Sequence, residues 1–177
     1  MGGYGSGRRY GCVATTVEEC HTLSLKTLKD AVKHGPGWRG SVYWTVGDRQ
    51  VASIGYETVE AGPCGLAVRL SYSITSGRHQ GEEIEQVIHL TKTTLHRGGV
   101  HWWFTCGVYK SGVYCGRRCA KLYLPPGAKL FACRHCYELT YRSCQESHKY
   151  DGLYRSIAVQ MGVSPRVVKR LLDRRWS

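Results

Sequence analysis

The sequence predicts an α+β fold: an antiparallel β-sheet joined to a four-cysteine zinc ribbon and a C-terminal helical hairpin. Three observations lead there. From Ser41 to Phe104, apolar and polar residues alternate with period two. The stretch from Phe104 to Tyr141 holds five cysteines within 38 residues. Beyond residue 150, two apolar stripes of helical spacing flank a Gly-Val-Ser turn. The expected segments are a Gly-rich arm with N-terminal helices over 1–40, the sheet over 41–105, the ribbon over 106–145 and a basic hairpin over 146–177.

The arm is rich in glycine, carries Arg8 and Arg9, and reads as flexible. Thr15 or Thr16 followed by Glu18 or Glu19 forms a capping-box pattern, so a helix is expected to open there. A second helix is expected after Ser24. It places Leu25, Leu28 and Val32 on one face and Lys26, Lys29 and Lys33 on a solvated one, and it stops at Gly35-Pro36. SVYWTV and QVASIGY read as strands joined by a Gly47-Asp48 turn. LAVRLSYSI, EIEQVIHLTKT and HWWFT complete a sheet of about five strands. His89 and His101 fall within strand patterns and read as structural. No nucleophile elbow, phosphate-binding loop or HExxH motif occurs.

Charge and cysteine usage narrow the chemistry. The net charge is +12. Residues 1–105 carry 11 Lys+Arg against 9 Asp+Glu, whereas residues 106–177 carry 14 against 4, so +10 lies in the cysteine-rich region and the tail. That asymmetry points to a polyanion, nucleic acid above all. No apolar run reaches a membrane span, and MGGYGSGRRYG lacks the apolar core of a signal peptide, so the expectation is a cytoplasmic protein without a membrane partner. Nine cysteines would leave a disulfide framework with one unpaired, and a reducing compartment favours a metal.

Cys133-Arg134-His135-Cys136 is a zinc-knuckle spacing: two intervening residues let both thiolates face one ion. Upstream, Cys106 and Cys115 enclose GVYKSGVY, which is expected to loop out as a finger. Cys115 is taken as the second ligand because Gly116 supplies the positive φ that often follows a knuckle. Cys119 is assigned to the strand CAKLYL, although Cys115 with Cys119 is an alternative pairing. The expected ligand set is Cys106, Cys115, Cys133 and Cys136, holding a structural Zn2+, with His135 pointing outward. Cys12, Cys20, Cys64 and Cys144 lack knuckle spacing and read mostly as buried thiols.

Around these ligands stand Arg117, Arg118, Lys121 and Arg134, interleaved with Tyr114, Tyr123, Phe131, Tyr137 and Tyr141. Guanidinium groups grip phosphates and aromatic faces stack on bases, and about half of the aromatics are assigned to packing. The motifs Gly98-Gly99, Trp103-Phe104-Thr105-Cys106, Cys115-Gly116-Arg117-Arg118, Leu122-Tyr123 and Cys133-Arg134-His135-Cys136 resemble a group of uncharacterised bacterial zinc-ribbon proteins, often linked to mobile elements. The Gly-rich start and Thr-Val-Glu-Glu-Cys at 16–20 fit the same group, while Cys119 stands where an aliphatic residue is expected. The resemblance implies zinc and no settled activity.

The tail segment LYRSIAVQMGVSPRVVKRLLDRRWS resembles a DNA-binding helix-turn-helix. Ala158 occupies the helix contact, Gly162 the turn, and Ile157, Met161, Val163, Val168 and Leu171 the apolar positions. Ser164-Pro165 reads as an N-cap and first helical residue. The resemblance makes 165–175 a recognition helix offering Arg166, Lys169, Arg170, Arg174 and Arg175 to DNA; the third helix must come from YRSCQESHKY or the ribbon. The resulting expectation is a non-enzymatic nucleic-acid-binding protein, DNA before RNA, such as a regulator on a mobile element. The alternative is an adaptor or inhibitor docking on a larger nucleoprotein complex. A third reading, a metal-dependent nuclease, needs an open metal position with Glu138 or His135 as base.

Overall fold

A computed structural model describes residues 14–62, 65–75, 79–96, 98–146 and 150–173. The arm with Arg8, Arg9 and Cys12, and also Cys64, Arg174 and Arg175, lie outside the described residues. The fold is mixed α+β, mostly antiparallel sheet with few helices, and divides into two compact units, Met1–Leu139 and Thr140–Ser177.

In the first unit half of the capping box forms: the Thr16 N–H donates to Glu19 Oε2 at 3.0 Å, while the Glu19 N–H donates to the main-chain carbonyl of Thr16 at 3.2 Å. It caps a single 3-10 turn, Val17–Glu19, and no longer helix follows. Instead β1 (His21–Ser24) forms, because β10 (Lys121–Leu124) lies alongside it. The second expected helix starts later than the sequence suggests. Residues 25–28 are a turn, in which Ser24 Oγ accepts the Lys26 N–H, and only Lys29–His34 is helical (α1). Pairing of Ser24 with Lys121 holds the chain extended there, and Leu28 and Val32 are buried without a full helix between them. Gly35 ends α1 at φ 84°, in the region glycine enters without steric cost.

The five expected strands form with similar bounds: β2 (Arg39–Val46), β3 (Arg49–Glu60), β4 (Leu66–Ser73), β5 (Glu83–Thr94) and β6 (Val100–Thr105). All adjacent pairs are antiparallel, and a sixth strand, β9 (Arg118–Cys119), joins the edge of β6. One face carries the core: Val42, Ile54, Val68, Leu70, Ile88, Leu90 and Phe104 pack with Leu23, Leu28 and Leu122 from the β1–β10 pair and the turn after it. Phe104 is fully buried, an arrangement that contributes on the order of 2–3 kcal/mol through area removed from water. The other face is polar and carries a cross-strand charge ladder, Arg39–Glu57 at 2.8 Å, Glu57–Arg69 at 3.6 Å and Arg69–Glu85 at 3.0 Å.

The expected strand CAKLYL is broken. Cys119 pairs with Phe104 in the large sheet, but after Ala120 the chain turns away, and Lys121 pairs with Ser24 in the small one. Two buried polar ties then fix what packs on the core. Thr58 Oγ1 donates to Gly35 O at 2.6 Å and accepts the Trp38 N–H at 2.9 Å, anchoring the end of α1. Gln86 in β5 answers both main-chain groups of Phe131: its Nε2 donates to Phe131 O and its Oε1 accepts the Phe131 N–H, each at 2.8 Å.

The second unit holds α2 (Arg142–Glu146), α3 (Asp151–Met161) and α4 (Pro165–Asp173). Gly162 ends α3 in the left-handed conformation, φ 62°, and the Val163 N–H donates back to Ala158 O at 3.0 Å. The apolar faces expected there pack only in part. Ala158 and Val168 are buried, but Leu153, Met161, Val167 and Leu171 are 42–56% exposed. Two helices in contact bury one stripe each, and α2 is only five residues long.

The Gln86 tie is testable. Gln86→Leu leaves the Phe131 N–H and C=O buried without partners, at roughly 1–3 kcal/mol each. The urea unfolding midpoint should fall by an amount corresponding to about 2–5 kcal/mol at unchanged m-value; a loss below about 1 kcal/mol would show that the tie contributes little.

Candidate metal centre

Cys106, Cys115, Cys133 and Cys136 converge from three places in the chain. Cys106 follows β6 directly. Cys115 follows a hairpin of β7 (Tyr109–Lys110) and β8 (Val113–Tyr114), the finger expected from the insert. At its tip Ser111 and Gly112 both have positive φ, 51° and 79°, the pattern of a tight two-residue hairpin turn. Main-chain bonds close its base: the Cys115 N–H donates to Val108 O at 3.0 Å, and the Gly116 N–H donates to Cys106 O at 3.0 Å. Gly116 takes φ 57°, as its place after Cys115 predicts.

Cys133 and Cys136 occupy the opposite turn. The Tyr123–Ala132 bridge delivers the chain to it, and the Cys136 N–H donates to Cys133 O at 3.1 Å. The sulfurs stand at 3.8 Å (Cys106–Cys136), 3.8 Å (Cys115–Cys133) and 3.6 Å (Cys133–Cys136), and all four lie within 4.8 Å of one another. They could therefore hold one metal ion.

The surrounding amides tune these thiols. Burial pushes the Cys106 thiol up, against N–H groups of Val108 and Cys133, the latter 3.3 Å from Sγ. Burial also opposes ionisation of Cys115, but the Arg117 N–H and the neighbouring thiols outweigh it and hold this thiol below its ordinary value. Cys136 is pushed up by burial and then by the other three sulfurs. The arrangement is one in which thiols crowd each other until a cation joins them.

Cys119 stays outside the cluster. Its Sγ faces the carbonyls of Phe104 at 3.7 Å and Arg117 at 3.6 Å, and burial, with the nearby cysteines, pushes its thiol to about 12. Cys20 donates to Thr16 O at 3.2 Å, and burial followed by Glu19 and Glu18 pushes it to about 11. Cys144 is exposed, against the expectation of a buried thiol, because it stands on the five-residue α2.

The basic residues fall into both units. Arg117, Arg118 and Lys121 are exposed beside the cysteine centre, and Arg118 donates to Thr93 Oγ1 at 3.4 Å. Arg134 is half-buried and has a partner of its own. His135 points outward as expected, and Arg117 lies near enough, with Arg134 behind it, to hold its imidazole below the ordinary range. Arg166, Lys169 and Arg170 are exposed on α4 in the other unit. Of the interleaved aromatics, Tyr123 and Phe131 are buried and Tyr137 donates to Leu130 O, leaving Tyr114 and Tyr141 exposed. Sequence reasoning missed the ion pair of Lys110 with Glu138 at 2.6 Å, which ties the hairpin to the second knuckle. Two opposite charges 28 positions apart give no sequence signal.

Comparison with protein-family models, with curated proteins and with solved structures finds no match. No helix among the described residues is long and apolar enough to cross a membrane.

Single serine substitutions separate the ligands from the bystander. Cys106→Ser, Cys115→Ser, Cys133→Ser and Cys136→Ser should each lower the metal bound per chain, measured by elemental analysis after gel filtration, whereas Cys119→Ser should keep it. Equal loss with Cys119→Ser would redraw the ligand set.

Proposed function

We propose that this protein is a non-enzymatic, zinc-stabilised nucleic-acid-binding protein that takes duplex DNA in preference to RNA. The zinc reading rests on sulfur spacing. Four thiolates at about 2.3 Å from one ion at tetrahedral angles stand roughly 3.8 Å apart; three of the separations are 3.6–3.8 Å, and all are within 4.8 Å. Zinc suits four soft thiolates, and a closed set of four leaves no position for substrate, so its part is structural. Glu138, the base that a hydrolytic reading would use, is engaged by Lys110.

The nucleic-acid reading is carried by α4. Val168 is buried while Arg166, Lys169 and Arg170 are exposed on the same helix, so α4 carries its cations away from the position it buries. A cationic helix following a Gly turn supports docking in a major groove, with Arg117, Arg118 and Lys121 available for phosphates. The half-exposed Leu153, Met161, Val167 and Leu171 favour a second reading, in which this unit docks on a protein of a larger nucleoprotein complex.

Anisotropy titrations with labelled duplex DNA, single-stranded DNA and RNA decide between them. Duplex affinity should fall steeply from 50 to 200 mM salt, on the order of tenfold for every two phosphate contacts. The variant R166A/K169A/R170A should bind less tightly and flatten the log–log salt slope by up to about 2.7, at roughly 0.9 per contact. A salt-independent affinity, or a triple variant indistinguishable from the parent, would transfer the weight to the docking reading.

A further inference from the structure

A groove of about 570 Å³ lies between α1 and β6; none of the four clustered cysteines lines it, and α4 does not use it. Leu25, Val32, Val100 and Trp102 form its apolar walls, and Lys26, Lys29 and Lys33 stand on its rim. It exists because the chain leaves β6 at Ala120 for the other sheet. β9 covers β6 only at Phe104 and Thr105, so Val100–Trp103 pair with β5 alone.

The direction of the uncovered groups follows from the ladder. The Cys106 N–H donates to Arg117 O at 2.9 Å and Cys106 O accepts the Gly116 N–H at 3.0 Å, so Cys106 faces the β9 side with both groups. Antiparallel strands alternate this direction every residue. Phe104 therefore faces β9 as well, and Trp102 and Val100 aim N–H and C=O at the groove. No hydrogen bond from a described residue meets them there. The three lysines are exposed and make no ion pair with a described residue.

We propose that this groove binds an extended peptide segment bearing acidic side chains, which adds to β6 as a further strand. The free edge needs a partner with both donors and acceptors at strand repeat, and a peptide main chain supplies both. A phosphodiester backbone offers acceptors only and leaves the Val100 and Trp102 carbonyls unanswered. Alternate side chains of the added strand meet the apolar walls, and carboxylates meet the lysines. Lys29 and Lys33 are one helical turn apart, roughly 6 Å along the axis, comparable with the about 6.8 Å between alternate residues of a strand. The proposal is independent of DNA binding by α4.

The test uses the intact, metal-loaded chain and capped octapeptides of alternating Glu-Val, Gln-Val and Lys-Val, read by amide NMR and hydrogen exchange. Glu-Val should bind saturably, shift the Val100 and Trp102 amides and slow their exchange at least tenfold. The amides of His101 and Trp103, already paired with β5, should change little. K26E/K29E/K33E, confined to exposed side chains, should reverse the preference to Lys-Val. Val100→Pro, at the first residue of the strand where proline is tolerated, should weaken Glu-Val binding at least fivefold with the lysines intact. Unchanged exchange at Trp102 under saturation, equal binding of the three peptides, or displacement of Glu-Val by oligo-dT at the same amides would overturn the proposal.

Discussion

The segment from Arg118 to Leu124 crosses from the large sheet to the small one at Ala120, and this crossover is the constraint from which the first unit takes its form. Cys119 registers it against Phe104, Leu122 against Leu23, and Tyr123 against Ala132. Through the first contact it fixes where β6 ends and Cys106 begins. Through the last it sets down the turn carrying Cys133 and Cys136. The cysteine centre is thus assembled by sheet pairing on both sides, with metal binding able to strengthen a geometry the main chain already favours.

Electrostatics sets a further condition at this centre. A dication held by four thiolates would keep a net negative charge in a partly buried setting, and the Arg117 N–H already favours the thiolate of Cys115. Hydrogen bonds donated to a thiolate stabilise its charged form. Beside the ligands, the Arg117 charge favours the thiolate of Cys119 and, with Arg134, disfavours protonation of His135, while Arg118 and Lys121 are exposed.

How far the sequence discloses such a structure depends on how local each signal is. The strands β2 to β6 were legible because alternation such as Leu66, Val68, Leu70 is a property of neighbours. The cysteine set was legible because a two-residue gap and the glycine after Cys115 are local requirements of a knuckle turn. β1 was not, since HTLS becomes a strand only against residues about a hundred positions later. Leu25, Leu28 and Val32 have spacing that suits a helix, yet half of that span is a turn fixed by the same distant pairing. The tail shows a further limit. Periodicity reveals which face of α3 and α4 is apolar, and it is silent on whether a third element covers Leu153 or Leu171. The lysines of α1 read as a solvated face in sequence because the strand edge opposite them is created by a break at Ala120 that no residue type announces.

The hairpin between Cys106 and Cys115 has a separate consequence for how this protein can vary. Its base is clamped by the Cys115–Val108 and Gly116–Cys106 main-chain bonds, and its residues beyond that point are exposed. Loop closure costs grow only slowly with length. The distance between the two sulfurs is therefore insulated from the number of residues that separate them. A chain built this way can lengthen, shorten or rewrite the projecting tip while the ligand geometry stays constant, which makes this hairpin a natural graft point for new recognition sequences.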